Sequence, residues 1–234
     1  MLRRAAKRLG LLKPKEIATR NTMASGLRCL AAIGVEPTLI LDVGASDGRW
    51  TDLARSIFPN ARFALFEPQP VHAVALDAFA AAHPRDVVIR QAVGAKTGTT
   101  FFDVSDPFGG ALSAEGAPNS IEVRMTTIDA SSTADPSDRV LIKLDTHGFE
   151  RSILDGAAKT LSQTCALIIE AYGYRITPEC MLFWELCAYL SERGFRPVDI
   201  VDMLHRPIDD TFWQADIIFV RSDWPGFAIT SYGP

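Results

Sequence analysis

Short apolar runs alternate with amphipathic stretches along the chain from residue 38 onward. The apolar runs are rich in Val, Ile and Leu, which is typical of strands buried on both faces of a sheet. The stretches between them have the periodicity of helices. The predicted strands are 38–43, 62–67, 86–93, 99–104, 121–128, 139–145 and 165–171, and the predicted helices are 49–58, 70–83, 150–161 and 178–194. The alternation predicts an α/β fold, with a mostly parallel sheet covered by helices on both faces.

The end of the chain departs from this alternation. Residues 195–204 and 212–221 both have the pattern of strands, and no helix separates them. A short connection can join neighbouring strands only when they are antiparallel. We therefore expect an antiparallel pair at one edge of the sheet, within an α/β domain that spans residues 38–234.

The N-terminal segment, residues 1–37, differs in character from that domain. Its first fifteen residues, MLRRAAKRLGLLKPK, hold six basic side chains and no acidic one. They lack the long apolar stretch and the cleavage site of a signal peptide. We interpret this segment as a basic helical arm. A second interpretation is peripheral contact with an anionic membrane surface or with a partner.

The composition is that of a soluble globular protein and argues against several classes of protein. The 234 residues are 47% hydrophobic and 22% charged, which suits one domain with a sizeable core. The net charge of -4 argues against nucleic acid as a partner. The four cysteines form no CxxC pair, so we predict neither a disulfide framework nor a zinc site, in keeping with a cytoplasmic location.

The stretch LILDVGASDG, residues 39–48, leads from the first strand into a glycine turn. In an open α/β sheet, ligands bind at the carboxyl ends of the strands, where Asp42, Gly44 and Gly48 are expected. The turn lacks the middle glycine of a GxGxxG dinucleotide site, and Asp42 and Asp47 would repel a pyrophosphate. A cationic ligand that carries an amino acid, such as S-adenosylmethionine, fits these charges better.

The second strand ends in Glu67, about 20 residues beyond the glycine turn. An acidic residue at this distance accepts hydrogen bonds from ribose hydroxyls in Rossmann-like sites. Nucleotide and S-adenosylmethionine sites both predict this residue, so Glu67 alone does not distinguish them.

The chain resembles the FkbM-like S-adenosylmethionine-dependent methyltransferases from about residue 38 to residue 221. The resemblance is carried by LDVGASDG, FEPQP, TTIDA, IKLDTHGFERSILDGA, LIIEAY and ADIIFVR. Members of the family are usually O-methyltransferases that act on hydroxyls of natural products and sugars. The resemblance implies the class I methyltransferase Rossmann-like fold, a seven-stranded sheet of order 3-2-1-4-5-7-6 in which strand seven is antiparallel.

The resemblance also implies which residues bind the cofactor. The glycine turn would hold the methionine end, Glu67 the ribose, and residues 91–93 the adenine. The implied cofactor residues are Asp42, Gly44, Ala45, Asp47, Gly48, Glu67, Gln91, Ala92, Val93 and Asp145.

Methyl transfer to a hydroxyl requires a base near the acceptor oxygen. Asp145, His147 and Glu170 follow the fourth and fifth strands of the predicted sheet and are the candidate catalytic residues. His147 is the most attractive base because an imidazole ordinarily titrates near neutral pH. The family often has Gln, Glu or Val at this position, so His147 is also a candidate for setting substrate preference. In a second interpretation Asp145 and Glu170, with His147, hold Mg²⁺ or Mn²⁺ that lowers the pKa of the acceptor hydroxyl.

Residues 105–120 are rich in Gly, Pro and Ser and are long enough to form a lid over the site, or equally a plain solvent loop. The substrate contacts expected around the site are Phe108, Ser113, His147 and Tyr172. We expect His72 on a helix surface. Glu150, in the first turn of a helix, is explained equally well by stabilisation of the helix dipole.

These features predict an S-adenosylmethionine-dependent O-methyltransferase of a small molecule, such as a sugar or a secondary metabolite. A non-catalytic binding protein of the same fold is the first alternative. An NAD(P)-dependent oxidoreductase is the second, against which the missing glycine argues. The expected partner is a small-molecule hydroxyl acceptor, with a homo-oligomer left open.

Overall fold

The computed structural model describes residues 21–113, 115–131 and 134–231. In those residues the helices are α1 (Met23–Ala32), α2 (Arg49–Ile57), α3 (Ala73–Ala82), α4 (Ile128–Ser131), α5 (Glu150–Asp155), α6 (Ala158–Leu161) and α7 (Phe183–Ser191). The strands are β1 (Leu39–Val43), β2 (Arg62–Phe66), β3 (Val87–Ile89), β4 (Ala92–Val93), β5 (Gly98–Asp103), β6 (Ala111–Ser113), β7 (Ser120–Thr126), β8 (Val140–Leu144), β9 (Thr164–Tyr172), β10 (Phe195–His205) and β11 (Phe212–Arg221). Two short 3₁₀ turns cover Pro70–His72 and Pro225–Ala228.

Seven strands form the main sheet, in the order β10-β11-β9-β8-β1-β2-β3. When these seven strands are numbered in chain order and the sheet is read from β3 to β10, the strand order is 3-2-1-4-5-7-6, as the resemblance implied. Strand β11 runs antiparallel to both of its neighbours, and the other pairings are parallel. The class I methyltransferase fold and the antiparallel pair at the edge are therefore confirmed.

A second sheet of four strands, β4-β7-β5-β6, was not anticipated. The strand predicted over residues 86–93 is divided, because β3 pairs with β2 whereas β4 pairs with β7. The loop predicted over residues 105–120 contains β6, which pairs with β5. The first difference arises from a pairing partner that is distant in sequence, whereas β6 is a short strand that pairs with its neighbour along the chain.

The main sheet separates two apolar cores because successive strand residues point to opposite faces. On β1, Leu41 packs into one core and Ile40 into the other. Every residue of β1 and β8 is buried, as expected for the centre of a sheet covered on both sides.

Helix α1 packs against the second core through Met23, Leu27 and Leu30. Its start is fixed by a capping box in which Thr22 and Ser25 bond each other's backbone N–H. The basic residues 1–15 lie outside the described residues, so the predicted arm stays a prediction there. Among the described residues, none of the helices is both long and apolar enough to cross a membrane.

Candidate active site

A cavity of about 220 Å³ lies at the carboxyl ends of β1, β2 and β8, where the sheet's parallel strands converge. Residues from the glycine turn, the end of β2, β4 and the β8–α5 turn surround it, and the second sheet closes one side. The lining residues include Gly44, Ser46, Glu67, Gln69, Gln91, Ala92, Val93, Phe102, Pro107, Phe108, Gly110, Asp145, Thr146, His147 and Phe149.

Gly44 brings the end of β1 into contact with the end of β8. Its φ of +78° lies in the left-handed region, and a Cβ there would lie 2.1 Å from the backbone oxygen of Asp145. Asp145 in turn donates its N–H to the carbonyl of Val43 at 3.1 Å. Only glycine fits this close approach of two backbones.

Asp42 lies beneath the cavity and is completely buried. Its Oδ2 accepts a hydrogen bond from the Thr51 hydroxyl at 2.6 Å, and its Oδ1 lies 3.4 Å from the Lys143 ammonium. Among the described residues, no group donates a hydrogen bond to Oδ1. Burial raises the pKa of Asp42, and the neighbouring Lys143 opposes that rise.

Lys143 joins Asp42 to the rim of the cavity. Its ammonium lies 3.1 Å from Asp145 Oδ2 and donates to the carbonyl of Gly44 at 3.2 Å. The register pairs Lys143 with Asp42 across β1 and β8, so both side chains lie on one face of the sheet. Burial raises the pKa of Asp145, but the charges of Lys143 and His147 and the hydrogen bond from Lys143 together lower the pKa overall, which keeps this carboxylate ionised.

Glu67 fastens the glycine turn to the end of β2. One carboxylate oxygen accepts the N–H of Ser46 at 2.9 Å, and the other accepts the N–H of Gln69 at 2.8 Å. Ser46 has a φ of +51°, uncommon for a residue other than glycine. Glu67 faces the cavity, and burial raises its pKa.

The structure divides the expected cofactor residues into two groups. Those at the cavity wall are Gly44, Glu67, Gln91, Ala92, Val93 and Asp145. The others support the turn or lie at its edge: Asp42 and Ala45 are buried, Gly48 is the N-cap of α2, and Asp47 pairs with Arg49 at 2.7 Å. Their roles in binding stay predictions.

Asp145, His147 and Glu170 come together, with their polar atoms within 4.8 Å of one another. His147 Nδ1 lies 3.2 Å from Glu170 Oε2 and 3.0 Å from the Tyr172 hydroxyl. Glu170 also accepts hydrogen bonds from the Tyr172 hydroxyl and from Gln214. His147 has a φ of +52°, a strained conformation of the kind that clusters at functional sites.

Protonation of His147 follows from its neighbours. Burial lowers its pKa, but the hydrogen bond and charge of Glu170, together with Asp145, raise it overall to about 9. The imidazole is therefore protonated at neutral pH in the free protein, which differs from the near-neutral titration expected from the residue type. The Nδ1 side of this protonated ring faces the Glu170 carboxylate.

The metal interpretation gains no support from this arrangement. Asp145 is already paired with the Lys143 ammonium, and Glu170 accepts hydrogen bonds from Tyr172 and Gln214. An ion would have to displace these partners.

The expected substrate residues are distributed unequally. His147 and Phe108 line the cavity, and the Arg49 guanidinium lies 5.1 Å from the Phe108 ring. Tyr172 is buried behind His147. Ser113 does not line the cavity; it lies on β6, with its hydroxyl 3.0 Å from that of Ser120.

Of two further acidic residues of the region, Glu150 is buried and Asp216 is half-buried. Glu150 accepts the N–H of Gly148 at 2.9 Å and supports the turn that carries His147. Burial raises the pKa of Glu150 to about 7. Asp216 lies directly across from Glu170 in the β9–β11 register, and burial, followed by the charges of Asp145 and Glu170, raises its pKa to about 7.

The prediction that His72 lies on a helix surface is wrong. Its side chain is buried, with 5% exposure, and contacts the site. Its Nε2 lies 2.7 Å from the carbonyl of Pro107 and 3.2 Å from the Ser46 hydroxyl. The Pro107 contact spans 35 positions, so no local pattern could have revealed it.

Comparison with known proteins agrees with this geometry. Residues 42–197 match the Methyltransferase FkbM domain, which is well over half of the chain. The chain belongs to the FkbM methyltransferase family. The match includes the glycine turn, Glu67, and the residues from Asp145 to Glu170. No curated protein sequence is significantly similar to the chain.

Solved structures of low sequence identity share the fold. Methyltransferase FkbM from Methylobacillus flagellatus KT superposes with a TM-score of 0.52 at 19% identity, over 79% of this chain and 43% of that one. The chain described here therefore spans less than half of the length of the Methylobacillus protein. A 1,6-didemethyltoxoflavin-N1-methyltransferase from Burkholderia thailandensis, with bound S-adenosylhomocysteine, gives 0.50 at 12% identity, over 94% and 85% of the two chains.

Proposed function

We propose that the protein is an S-adenosylmethionine-dependent O-methyltransferase that methylates a hydroxyl group of a small molecule, such as a sugar or a secondary metabolite. The observation that carries the proposal is that His147 and Asp145 lie at the wall of the cavity that the glycine turn forms, with Glu170 paired to His147 behind them. A hydroxyl acceptor must lose a proton during transfer, and this pair is built to hold one.

The residues at the cavity fit S-adenosylmethionine. Its ammonium and sulfonium are cationic, and Asp42 and Asp145 supply negative charge that one Lys143 only partly neutralises. Asp42 Oδ1 has no hydrogen-bond donor of its own, and Glu67 has a carboxylate at the wall for the ribose hydroxyls. When bound, the cofactor supplies an electrophilic methyl group on sulfur.

The chain's own residues would position the acceptor and receive its proton. His147 holds Nδ1 toward Glu170 and Tyr172, so the acceptor's proton would be taken up at Nε2, with the acceptor hydroxyl in the place of the Phe108 carbonyl, and the resulting imidazolium would be stabilised by the buried carboxylate. A cationic ligand in the cavity would lower the pKa of His147 from about 9 toward neutrality, because like charges disfavour the protonated ring. The bound state would thus produce the basic form of the pair.

The proposed partner is a small-molecule acceptor rather than a nucleic acid, and the proposed location is the cytoplasm. The net charge of -4 supports a small-molecule acceptor, and the absence of a CxxC pair among the four cysteines supports the cytoplasm.

Residues 1–15 are proposed as a solvated basic arm. Light scattering of the purified protein tests for a homo-oligomer, and liposome sedimentation tests for contact with anionic lipid.

A transfer assay with labelled S-adenosylmethionine tests the proposal. The panel contains sugars, phenols, amines, thiols and RNA, each assayed with EDTA or with added Mg²⁺. We expect label to appear in an alkali-stable ether of a hydroxyl compound, whether or not EDTA is present. Label in an amine or in RNA would contradict O-methylation, and loss of activity in EDTA would restore the metal interpretation.

A further inference from the structure

Residues 105–110, here called the strap, run from β5 toward β6 across the mouth of the cavity. Pro107, Phe108 and Gly110 of the strap line the cavity wall. Two consecutive strap carbonyls each face a histidine: Pro107 O lies 2.7 Å from His72 Nε2, and Phe108 O lies 3.2 Å from His147 Nε2. The histidines come from two different turns, so the strap is held at two separate points.

His72 connects the strap to the glycine turn. A carbonyl oxygen can only accept, so the proton of His72 lies on Nε2 and is donated to Pro107 O. The same nitrogen lies 3.2 Å from the hydroxyl of Ser46, whose N–H is bonded to Glu67. The buried side chain of His72 thus contacts both the strap and the glycine turn.

The strap packs closely against the side chains of Gln69 and Phe102. Gln69 donates its amide to Pro107 O at 3.0 Å, and a Cβ on Gly110 would lie 2.3 Å from that amide nitrogen and 2.7 Å from the Phe102 ring. The φ of Gly110 is not in the left-handed region, so a substitution there disturbs packing and not backbone geometry.

The position of the strap also fixes the state of His147. Donation to Phe108 O keeps a proton on Nε2 of His147. The protonated ring then has Nδ1 toward Glu170 and Tyr172 and Nε2 toward the strap, which is the side from which an acceptor hydroxyl would replace Phe108 O. An open strap would leave the ring free to rotate or to change tautomer.

We propose that His72 is a positioning residue that holds the strap closed over the cofactor cavity and, through Phe108 O, keeps His147 in its working orientation. This proposal rests on the proposed function, since it assumes that S-adenosylmethionine occupies the cavity. From sequence, residues 105–120 are predicted as either a lid or a plain solvent loop, and His72 is predicted on a helix surface.

The first experiment measures the dissociation rate of S-adenosylhomocysteine and the KM and kcat of transfer for H72A and H72Q. Loss of the hydrogen bond should make dissociation about tenfold faster in H72A and raise the KM for the cofactor with it. Gln carries an N–H donor at a similar reach, so H72Q should recover most of the wild-type rate. H205A is the matched control, because His205 is exposed on β10.

A double-mutant cycle separates the strap from a general effect on folding. G110A unseats the strap without touching His72, and should by itself accelerate dissociation. If His72 acts through the strap, the double variant H72A/G110A should dissociate no faster than the faster single variant. The cycle also keeps a test available through G110A if H72A does not fold.

The outcomes separate the two proposals. If the wild-type protein binds S-adenosylhomocysteine but H72A releases it at the wild-type rate, the role of His72 is overturned and the proposed function stands. The same conclusion follows if the effects of the two substitutions in the cycle are additive. Wild-type protein that does not bind S-adenosylhomocysteine overturns both.

Discussion

Lys143 is the buried cation around which the acidic residues of the site are arranged. It is 3% exposed and contacts Asp42, Asp145 and the Gly44 carbonyl. Burial lowers its pKa, but the charges of Asp145 and Asp42 outweigh this and raise the pKa, so the ammonium stays charged. Both carboxyl groups lie close to this ammonium, and the ionised Asp145 supplies negative charge at the cavity wall where the proposed sulfonium cofactor would bind.

Activity should increase with pH because the base is formed by deprotonation. The pKa of His147 is raised to about 9 in the free protein, so kcat/KM should rise as the pH rises toward 9. H147Q should lower the rate about 100-fold, the lower end of what a general base contributes, and should remove that pH dependence. Initial rates between pH 6 and 10 measure both effects. A wild-type rate in H147Q would remove His147 from the proton transfer, and H205Q is the control.

Gly44 allows a test of backbone contact that is independent of the acceptor. G44A would place a Cβ 2.1 Å from Asp145 O, so the turn must shift and affinity for S-adenosylhomocysteine should fall by about 100-fold or more. Gly34 is a matched control, because its φ of +86° imposes the same strain with no atom within 4 Å of the added Cβ. Titration calorimetry compares the two variants. Equal affinities would contradict the position of the cavity.

At the scale of elements, the sequence was informative wherever burial alone determines the structure. The central strands have continuous apolar runs, and their positions and order were predictable. The second sheet was not, because β6 is three intermediate residues within a Gly-rich stretch. The helix predicted over 150–161 is divided near Gly156, where a Cβ would lie 2.3 Å from the backbone oxygen of Gly94.

The same distinction holds for the candidate site. The glycine turn, Glu67 and His147 lie next to strand ends, so the fold places them together. His72 was missed because it contacts the site through Pro107, which is far along the chain. Gln214 was missed because its contact with Glu170 depends on the pairing of β11 with β9. Local sequence patterns carry no record of such contacts.

Helix α1 should contribute to the stability of the α/β domain even though it precedes the matched family region. Leu27 is fully buried in the core that contains Ile40 and Ile218. L27A should lower the free energy of unfolding by about 2–5 kcal/mol, whereas R28A, on the exposed side of the same helix, should change it by less than about 0.5 kcal/mol. Urea unfolding followed by circular dichroism measures both. Equal stability of the two variants would show that α1 is not part of the core.

Across the whole molecule, the buried titratable groups make stability depend on pH. Glu150 and Asp216 have pKa values raised to about 7, chiefly by burial, so the folded protein favours their neutral forms. The contribution of these neutral forms to the stability of the folded protein is lost as the pH rises through 7. His147 has its pKa raised to about 9, so its contribution is present below about 6.5 and is lost as the pH rises through 9. All three groups act in the same direction.

The protein should therefore be less stable at pH 9 than at pH 6. D216N removes one of the three titrations, so the difference in unfolding free energy between these pH values should shrink by about 1 kcal/mol or more. D77N is the control, since Asp77 is exposed on α3. Chemical unfolding at the two pH values measures this difference. Stability that increases from pH 6 to pH 9 would contradict the assigned protonation states.

The claim that the cavity at the carboxyl ends of β1, β2 and β8 binds S-adenosylmethionine is tested most directly by calorimetric titration with S-adenosylhomocysteine, with NADH as the control. We expect one site per chain with micromolar affinity for S-adenosylhomocysteine, strongly weakened in G44A, and no heat of binding from NADH. Binding of NADH would favour the oxidoreductase alternative. Binding of neither compound would contradict the proposed cofactor and favour a non-catalytic member of the family.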